Sequence, residues 1–172
     1  ASVLTILLLG RGIAASAAPP QEQDLKLLSI EQLMEIDVTL GTRQPEPLRT
    51  TAAAISVLTA ADIRRAGVTT IADAIALADG ISVARSNNGS WAISARGFNA
   101  TAANKLLVMV DGRIEYSPLF SGAFWNMVDY VLEDIERIEV IRGPGATLWG
   151  ANAVNGVINI VTRHSRDTQG TF

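Results

Sequence analysis

The stretch at residues 135–163, IERIEVIRGPGATLWGANAVNGVINIVTR, constrains the fold of this 172-residue chain more than any other. Residues 135–142 alternate between apolar and polar positions, which is typical of a β-strand. We expect the strand to stop at 143–145, because proline cannot donate a hydrogen bond to a sheet and glycine adopts backbone angles that other residues resist. A second, β-branched strand follows at 157–162. The residues expected to form the turn are Gly143, Pro144, Gly145, Gly150, Asn155 and Gly156.

Two interpretations of this turn remain open from the residues alone. A glycine-rich loop after a strand can bind phosphate. However, no Lys-Ser or Lys-Thr follows these glycines and no G-x-G-x-x-G opens a helix, which disfavours nucleotide binding. The other interpretation is an ordinary strand-turn-strand unit of a packed core.

The overall composition excludes several classes of protein. The chain is long enough for one domain with a core. A net charge of −3 with scattered basic residues provides no surface for nucleic acid. The chain has no cysteine and one histidine, His164, so disulfides, thiolate ligands and a histidine-based site are all disfavoured. Asp62 and Asp73 each lie in a predicted first helical turn, where capping accounts for a carboxylate better than catalysis does. We therefore expect no enzyme activity, no catalytic residue, no cofactor and no metal site.

The N-terminal residues predict export. An apolar run at 3–9 and small residues at 14–18 resemble a secretory signal peptide, and an initiating Met and a basic segment are missing. We expect a truncated signal peptide at 1–18. A helix is predicted at 25–36, with Ser29 as its N-cap. A short extended segment at 37–43 and a proline-bearing linker at 44–51 follow it. This extended segment is either an ordinary edge strand or a peptide that adds to the sheet of a partner.

The remaining elements follow from capping residues and periodicity. Thr59 is the predicted N-cap of a helix at 60–66 that Gly67 ends, and Thr69 or Thr70 caps a helix at 71–78. A fully apolar strand at 106–110 is followed by an Asp-Gly turn and a strand at 113–114. A helical turn is expected at 132–134. Further strands are expected at 54–59, 81–84 and 93–96.

Two predicted loops contain polar and aromatic residues that could contact a ligand. An Asn-Gly turn between the strands at 81–84 and 93–96 suits an exposed tip. The long loop at 115–128 is aromatic, and its rings either pack under the loop or form a binding surface. The candidate ligand-contacting residues are Asn87, Asn88, Trp91, Tyr116, Phe120, Phe124 and Trp125.

Three segments of the sequence resemble the plug domain of TonB-dependent outer-membrane receptors. They are IEVIRGPGATLWGANAVNGVINIVTR, ISVLTAADIRRAGVTTIADAIALADGISV and the Arg96-Gly97-Phe98 element, and the resemblance extends over residues 29–163. It implies an α+β fold, a small mixed sheet with short helices, preceded by a mobile leader. The family implies a leader at 19–50, a plug at 51–165 and, at 166–172, the start of a connection to a 22-stranded barrel. No barrel-type strands follow residue 162, so we expect a fragment of a receptor.

The resemblance also implies partners. In this family a TonB box before the plug pairs with the energy-coupling protein TonB, and the similar segment here is Glu35, Ile36, Asp37, Val38, Thr39 and Leu40. Arg96 and Arg142 would pair with carboxylates of the barrel wall, since a guanidinium can hold a carboxylate at two points. Alternatively, both arginines bind carbonyl groups of turns within the plug.

The implied function is that of a gate in an active uptake receptor in the outer membrane of a Gram-negative bacterium. Family ligands include ferric siderophores and cobalamin. Two other functions stay open: a stand-alone periplasmic plug-like module for binding or scaffolding without transport, and a small soluble enzyme that uses the glycine-rich loop.

Overall fold

The computed structural model describes residues 37–38, 46–47, 54–87, 89–119, 121–128 and 130–166. The signal peptide at 1–18 and the helix at 25–36 with Ser29 lie outside these residues. So do Glu35, Ile36, Thr39, Leu40, Asn88 and Phe120. The strands are β1 Asp37–Val38, β2 Glu46–Pro47, β3 Ile55–Thr59, β4 Ile81–Asn87, β5 Ser90–Ala95, β6 Ala102–Ala103, β7 Leu106–Val110, β8 Arg113–Ile114, β9 Ala123–Phe124, β10 Ile135–Arg142 and β11 Gly156–Thr162. The helices are α1 Ala60–Ala66, α2 Ile71–Ile75 and α3 Ala146–Trp149, with a 3-10 turn at Leu132–Asp134.

A five-stranded mixed sheet in the order β3-β10-β11-β7-β8 forms the centre of the fold. The β10 strand runs antiparallel to both β3 and β11, whereas β11 runs parallel to β7. Arg142, Gly156 and Leu106 lie side by side at one end of the sheet, which we call the turn end. Thr59 and Thr162 lie at the opposite end, which we call the exit end. The mixed sheet with short helices confirms the predicted α+β class.

Alternate residues of the central strands pack on opposite faces of the sheet. The larger apolar cluster includes Ile138, Ile158 and Val108 and continues into the helices and the β4–β5 hairpin. The smaller cluster joins Ile141 and Val157 on the other face, near the turn end. All five residues of β7 are buried, which confirms its prediction as a strand covered on both faces.

The helices begin and end at the residues that their caps dictate. Thr59 and Asp62 form a reciprocal capping box at the start of α1, and Gly67 ends that helix in the left-handed conformation. Thr70, one of two predicted candidates, caps α2. The helix predicted at 71–78 is too long, because hydrogen bonds from Leu77 to Ala74 and from Ala78 to Ile75 tighten the chain into turns after Ile75.

The hairpin β4–β5 corrects another prediction. The strands predicted at 81–84 and 93–96 extend to Asn87 and start at Ser90, so most of the expected loop is strand. Arg85 lies opposite Trp91, and its guanidinium carbon is 5.1 Å from the ring centroid. The Asn87 side chain accepts a hydrogen bond from Ser90 N at 3.1 Å and closes the turn. These contacts stabilise extended backbone where the Asn-Gly turn signal predicted a loop.

The segment before the central sheet contains one more pairing. Asp37 and Val38 of β1 lie antiparallel to Pro47 and Glu46 of β2. The residues predicted as linker at 44–51 thus include a short strand. No helix within the described ranges has the length and apolar character needed to cross a membrane.

Candidate functional site

The turn between β10 and β11 is built around glycines that no other residue can replace without strain. Gly143 has φ +139, and a Cβ added at Gly156 would overlap the backbone carbonyl of Ile141. Gly143 N donates to Asn155 O at 3.0 Å and Gly145 N donates to Ala153 O at 2.9 Å, which closes the turn. The α3 helix occupies the middle of the turn, where the sequence predicted only a compact excursion.

Asn155 joins three parts of the turn end. Its backbone N donates to Lys105 O at 2.8 Å, and its backbone oxygen accepts from Gly143 N. Its side-chain Nδ2 donates to Gly97 O at 3.3 Å. The sequence identified Asn155 as a member of the turn, whereas its contact with Gly97, 58 positions earlier in the chain, emerges only from the fold.

The Arg96-Gly97-Phe98 element is a left-handed turn. Its three residues have φ values of +57, +98 and +56. Left-handed backbone is costly for a residue with a side chain, and such strain persists where surrounding contacts enforce it. Phe98 is 74% exposed at this turn. The sequence predicted a turn here and missed Phe98 as a candidate contact residue, because its exposure depends on this unusual backbone.

The two arginines that were predicted to face a barrel lie at this same turn. Arg142 Cδ is 3.0 Å from the position that a Cβ would take at Gly80, and an Arg96 guanidinium nitrogen is 3.8 Å from the corresponding position at Gly143. Arg142 Nε is buried and has no hydrogen-bond partner. Among the described residues neither guanidinium forms an ion pair or binds a turn carbonyl.

The two predicted ligand-contacting loops meet. Asn126 Nδ2 lies 3.4 Å from Ser90 Oγ, which connects the second loop to the tip of the β4–β5 hairpin. Tyr116 is 38% exposed, and Leu119 and Met127 of the same loop, which the sequence did not single out, are exposed as well.

Two tryptophans differ from the sequence expectation. Trp125 is only 4% exposed and belongs to the larger apolar cluster, which favours core packing for this ring. Trp91 is half-buried and packs against the same cluster, so the expected exposed tip is corrected at that residue. Phe124 is half-buried as well.

The exit end holds the last residues of β11. Asp111 accepts from Thr162 N at 2.8 Å and its second carboxylate oxygen is 2.8 Å from Thr162 Oγ1. Arg163 N donates to Asp134 O at 2.8 Å on the other side. Nearby, the hydrogen bond with Tyr130 and the charge of Glu115 raise the pKa of Arg113 above its ordinary value. These contacts stabilise the point where the chain leaves the sheet.

The carboxylates that could suggest catalysis act as caps. Asp62 accepts from Thr59 Oγ1 at 2.6 Å, and Asp73 accepts from Thr70 Oγ1 at 2.7 Å. No group of three or more His, Cys, Asp or Glu residues suited to a metal ion occurs within the described ranges.

Comparisons of the amino-acid sequence with known proteins identify the family of the chain. A family model described as the TonB-dependent receptor plug domain matches residues 47–157. The vitamin B12 transporter BtuB of Vibrio vulnificus (strain CMCP6) is 32% identical over 136 residues, which cover 78% of this chain and 22% of that protein. The chain thus spans less than a quarter of the length of this relative.

Solved structures show a similar fold. The alcaligin outer-membrane receptor FauA of Bordetella pertussis is 26% identical with a TM-score of 0.59, and the match covers 74% of this chain and 21% of that one. The outer-membrane ferripyoverdine receptor of Pseudomonas aeruginosa is 23% identical with a TM-score of 0.62, and the match covers 74% of this chain and 16% of that one. The second likeness concerns the fold alone.

Proposed function

This chain belongs to the TonB-dependent receptor plug domain family, and from that premise we propose that it gates a receptor for active uptake of a scarce nutrient. The plug blocks the lumen of a surrounding barrel and is remodelled when the coupling protein TonB pulls on the leader. Its work is binding and mechanical, so we propose no enzyme activity. The receptor lies in the outer membrane of a Gram-negative bacterium.

The observation that carries the proposal is the state of Arg142. Its Nε is buried without a hydrogen-bond partner at the turn end, beside Arg96. Arg142 as a whole is half-buried, and a buried Nε–H group without a partner is unfavourable because its desolvation is not compensated. A carboxylate from an enclosing wall would compensate it, and its two oxygens fit the fork of a guanidinium. This is what we expect of a domain that completes its contacts inside another structure.

The nutrient that we propose is a metal chelate. One relative is named a vitamin B12 transporter and another an alcaligin receptor, so we propose a cobalamin or a ferric siderophore for this chain. The proposed contact surface comprises the exposed parts of the two loops that meet at Ser90 and Asn126. Among the predicted aromatic residues that the structure describes, Tyr116 is the most accessible.

The coupling segment that we propose is 35–40. Within it, Asp37 and Val38 are paired with Pro47 and Glu46 in the structure. Pro47 has no N–H group, so it cannot donate a hydrogen bond across this short pair. The pair is therefore weak, and a strand of TonB could replace it by main-chain hydrogen bonding.

The proposed division of the chain follows from the same role. Residues 1–18 serve as a signal peptide, 19–50 as the leader, 51–165 as the plug and 166–172 as the start of the connection to the barrel. Removal of residues 35–40 would then uncouple the receptor while the plug keeps its fold.

Uptake measurements test the proposal. An intact receptor that carries this chain is expressed in a Gram-negative host without its own receptors, and labelled cyanocobalamin and a labelled ferric siderophore serve as probes. We expect uptake of one probe to require TonB and residues 35–40, while surface binding persists after the deletion. A deletion of 19–24 is the control. Uptake that continues without TonB, or no uptake of either probe, would overturn the proposal.

A further inference from the structure

Arg142 lies at the end of an apolar row on the central sheet. Ile138 and Val140, which precede it on β10, are fully buried in the larger apolar cluster. Residues two positions apart lie on one face of a strand, so the Arg142 side chain leaves β10 on the face that this cluster covers. An arginine at such a place buries its stem against apolar neighbours and keeps its charged end at the border of the cluster.

The connection between α2 and β4 provides the surface beside this side chain. Gly80 has φ +71, and a Cβ added there would lie 3.0 Å from Arg142 Cδ and 3.4 Å from the terminal nitrogen Nη1. Non-bonded carbon atoms are normally about 3.5–4.0 Å apart. The space that a side chain at position 80 would need is therefore occupied by Arg142.

The turn at Gly80 is held in place by its neighbours. Ala78 is 4% exposed and belongs to the larger cluster, and Ile81 packs against the same cluster. Ile81 N donates to Ala78 O at 3.4 Å, which closes the turn around Gly80. Arg142 Cδ, in contrast, belongs to the outer part of a flexible side chain. A Cβ at position 80 would therefore displace the end of Arg142 and not the turn.

We propose that Gly80 is a positioning residue for Arg142. Because Gly80 has no side chain, the guanidinium lies across the turn between α2 and β4 in one orientation. The functional part of this inference rests on the proposed pairing of Arg142 with a carboxylate of the barrel wall. Such a pair is geometrically specific, because two parallel hydrogen bonds form only when the planes of the two groups are aligned.

Gly67 provides a matched control for the backbone. Its φ of +66 is close to that of Gly80, and an added Cβ would meet nothing within 4 Å. Gly67→Ala and Gly80→Ala thus impose similar left-handed strain, and only Gly80→Ala displaces Arg142. An effect of Gly80→Ala that exceeds the effect of Gly67→Ala therefore measures the contact with Arg142.

Nuclear magnetic resonance of the 172-residue chain with isotope-labelled arginine tests the contact by itself. The Nε–H signal of Arg142, which is buried, is assigned by its loss in Arg142→Ala. In Gly80→Ala we expect this signal to shift and its hydrogen exchange to become about tenfold faster, whereas Gly67→Ala should change neither. An unchanged signal in Gly80→Ala would overturn the proposal. If Gly80→Ala prevents folding, adding Arg142→Ala should restore the circular dichroism of the folded chain, and failure of that rescue would also overturn it.

Plug retention in an intact receptor that carries this chain tests the role of the contact. Gly80→Ala should make protease release of the plug about tenfold faster than Gly67→Ala does at the same urea concentration, and the difference should vanish when Arg142→Ala is present. Equal release from the two glycine variants, with faster release from Arg142→Ala, would refute the positioning role and leave the wall pairing intact. Unchanged release from Arg142→Ala would refute the wall pairing and the positioning role together, and the resonance experiment would still decide the contact.

Discussion

Glu136 and Glu139 bind the same arginine from very different surroundings. Glu139 is fully buried and accepts from Arg137 Nε at 2.9 Å, whereas the Glu136 side chain is half-exposed and contacts the outer nitrogen Nη1. Removing one partner of a buried pair leaves an uncompensated charge, while exposed pairs contribute little. The two carboxylates thus provide a matched comparison within one strand.

We predict that Glu139→Ala destabilises the chain by about 3–5 kcal/mol, because Arg137 loses its buried partner. Glu136→Ala should cost less than about 1 kcal/mol, as expected for an exposed pair. Urea unfolding of the two variants followed by circular dichroism measures the difference. Equal midpoints would show that Arg137 is compensated by other contacts.

Gly156 is constrained by a close contact with the neighbouring backbone and not by a left-handed φ angle. An added Cβ would collide with the Ile141 carbonyl on the neighbouring strand, whereas at Gly67 it would meet nothing within 4 Å. We predict that Gly156→Ala costs about 1–3 kcal/mol or more through overpacking. Gly67→Ala should cost about 1–2 kcal/mol from its left-handed backbone. The comparison is again made by urea unfolding, and a larger loss at Gly67 would contradict it.

At the scale of elements, α1 is fixed by a cap that also ends β3. Thr59 is the last residue of the strand and the N-cap of the helix, and Asp62 returns a hydrogen bond to Thr59 N at 3.1 Å. We predict a loss of about 0.5–2 kcal/mol for Thr59→Ala. Thr70→Ala, which removes a cap without the reciprocal bond, should cost less. Thermal unfolding compares them, and equal losses would indicate that the reciprocal bond adds nothing.

The elements that the sequence predicts well depend on local chemistry. Caps at Thr59 and Gly67, the apolar run of β7 and the glycine turn before β11 are all decided by neighbouring residues, and the family resemblance adds the overall architecture. The features that the sequence does not predict depend on contacts between residues far apart in the chain. The Arg85–Trp91 stacking extends the hairpin, and the bond from Asn155 to Gly97 fixes the Phe98 turn. Burial of Trp125 likewise depends on packing that composition alone does not determine.

On the scale of the whole molecule, the two ends of the central sheet differ in how their polar groups are bonded. At the exit end, the Asp111 carboxylate accepts from Thr162 N and contacts Thr162 Oγ1 within the chain. The turn end leaves Arg142 Nε buried without a partner and exposes Phe98. This asymmetry supports a domain that completes its turn end with contacts from outside.

Arg142 is therefore expected to matter more in an intact receptor than in the chain alone. We predict that Arg142→Gln does not destabilise the 172-residue chain in urea unfolding, because it removes a buried nitrogen that has no hydrogen-bond partner there. In a receptor that carries this chain, the same change should weaken plug retention by about 2–5 kcal/mol, through loss of the proposed charge pair with a barrel carboxylate. Protease release of the plug across a urea series measures retention. Arg65→Gln, which removes only the exposed pair with Asp62, is the control and should change neither measurement. An equal loss in both settings would instead assign Arg142 a role inside the plug.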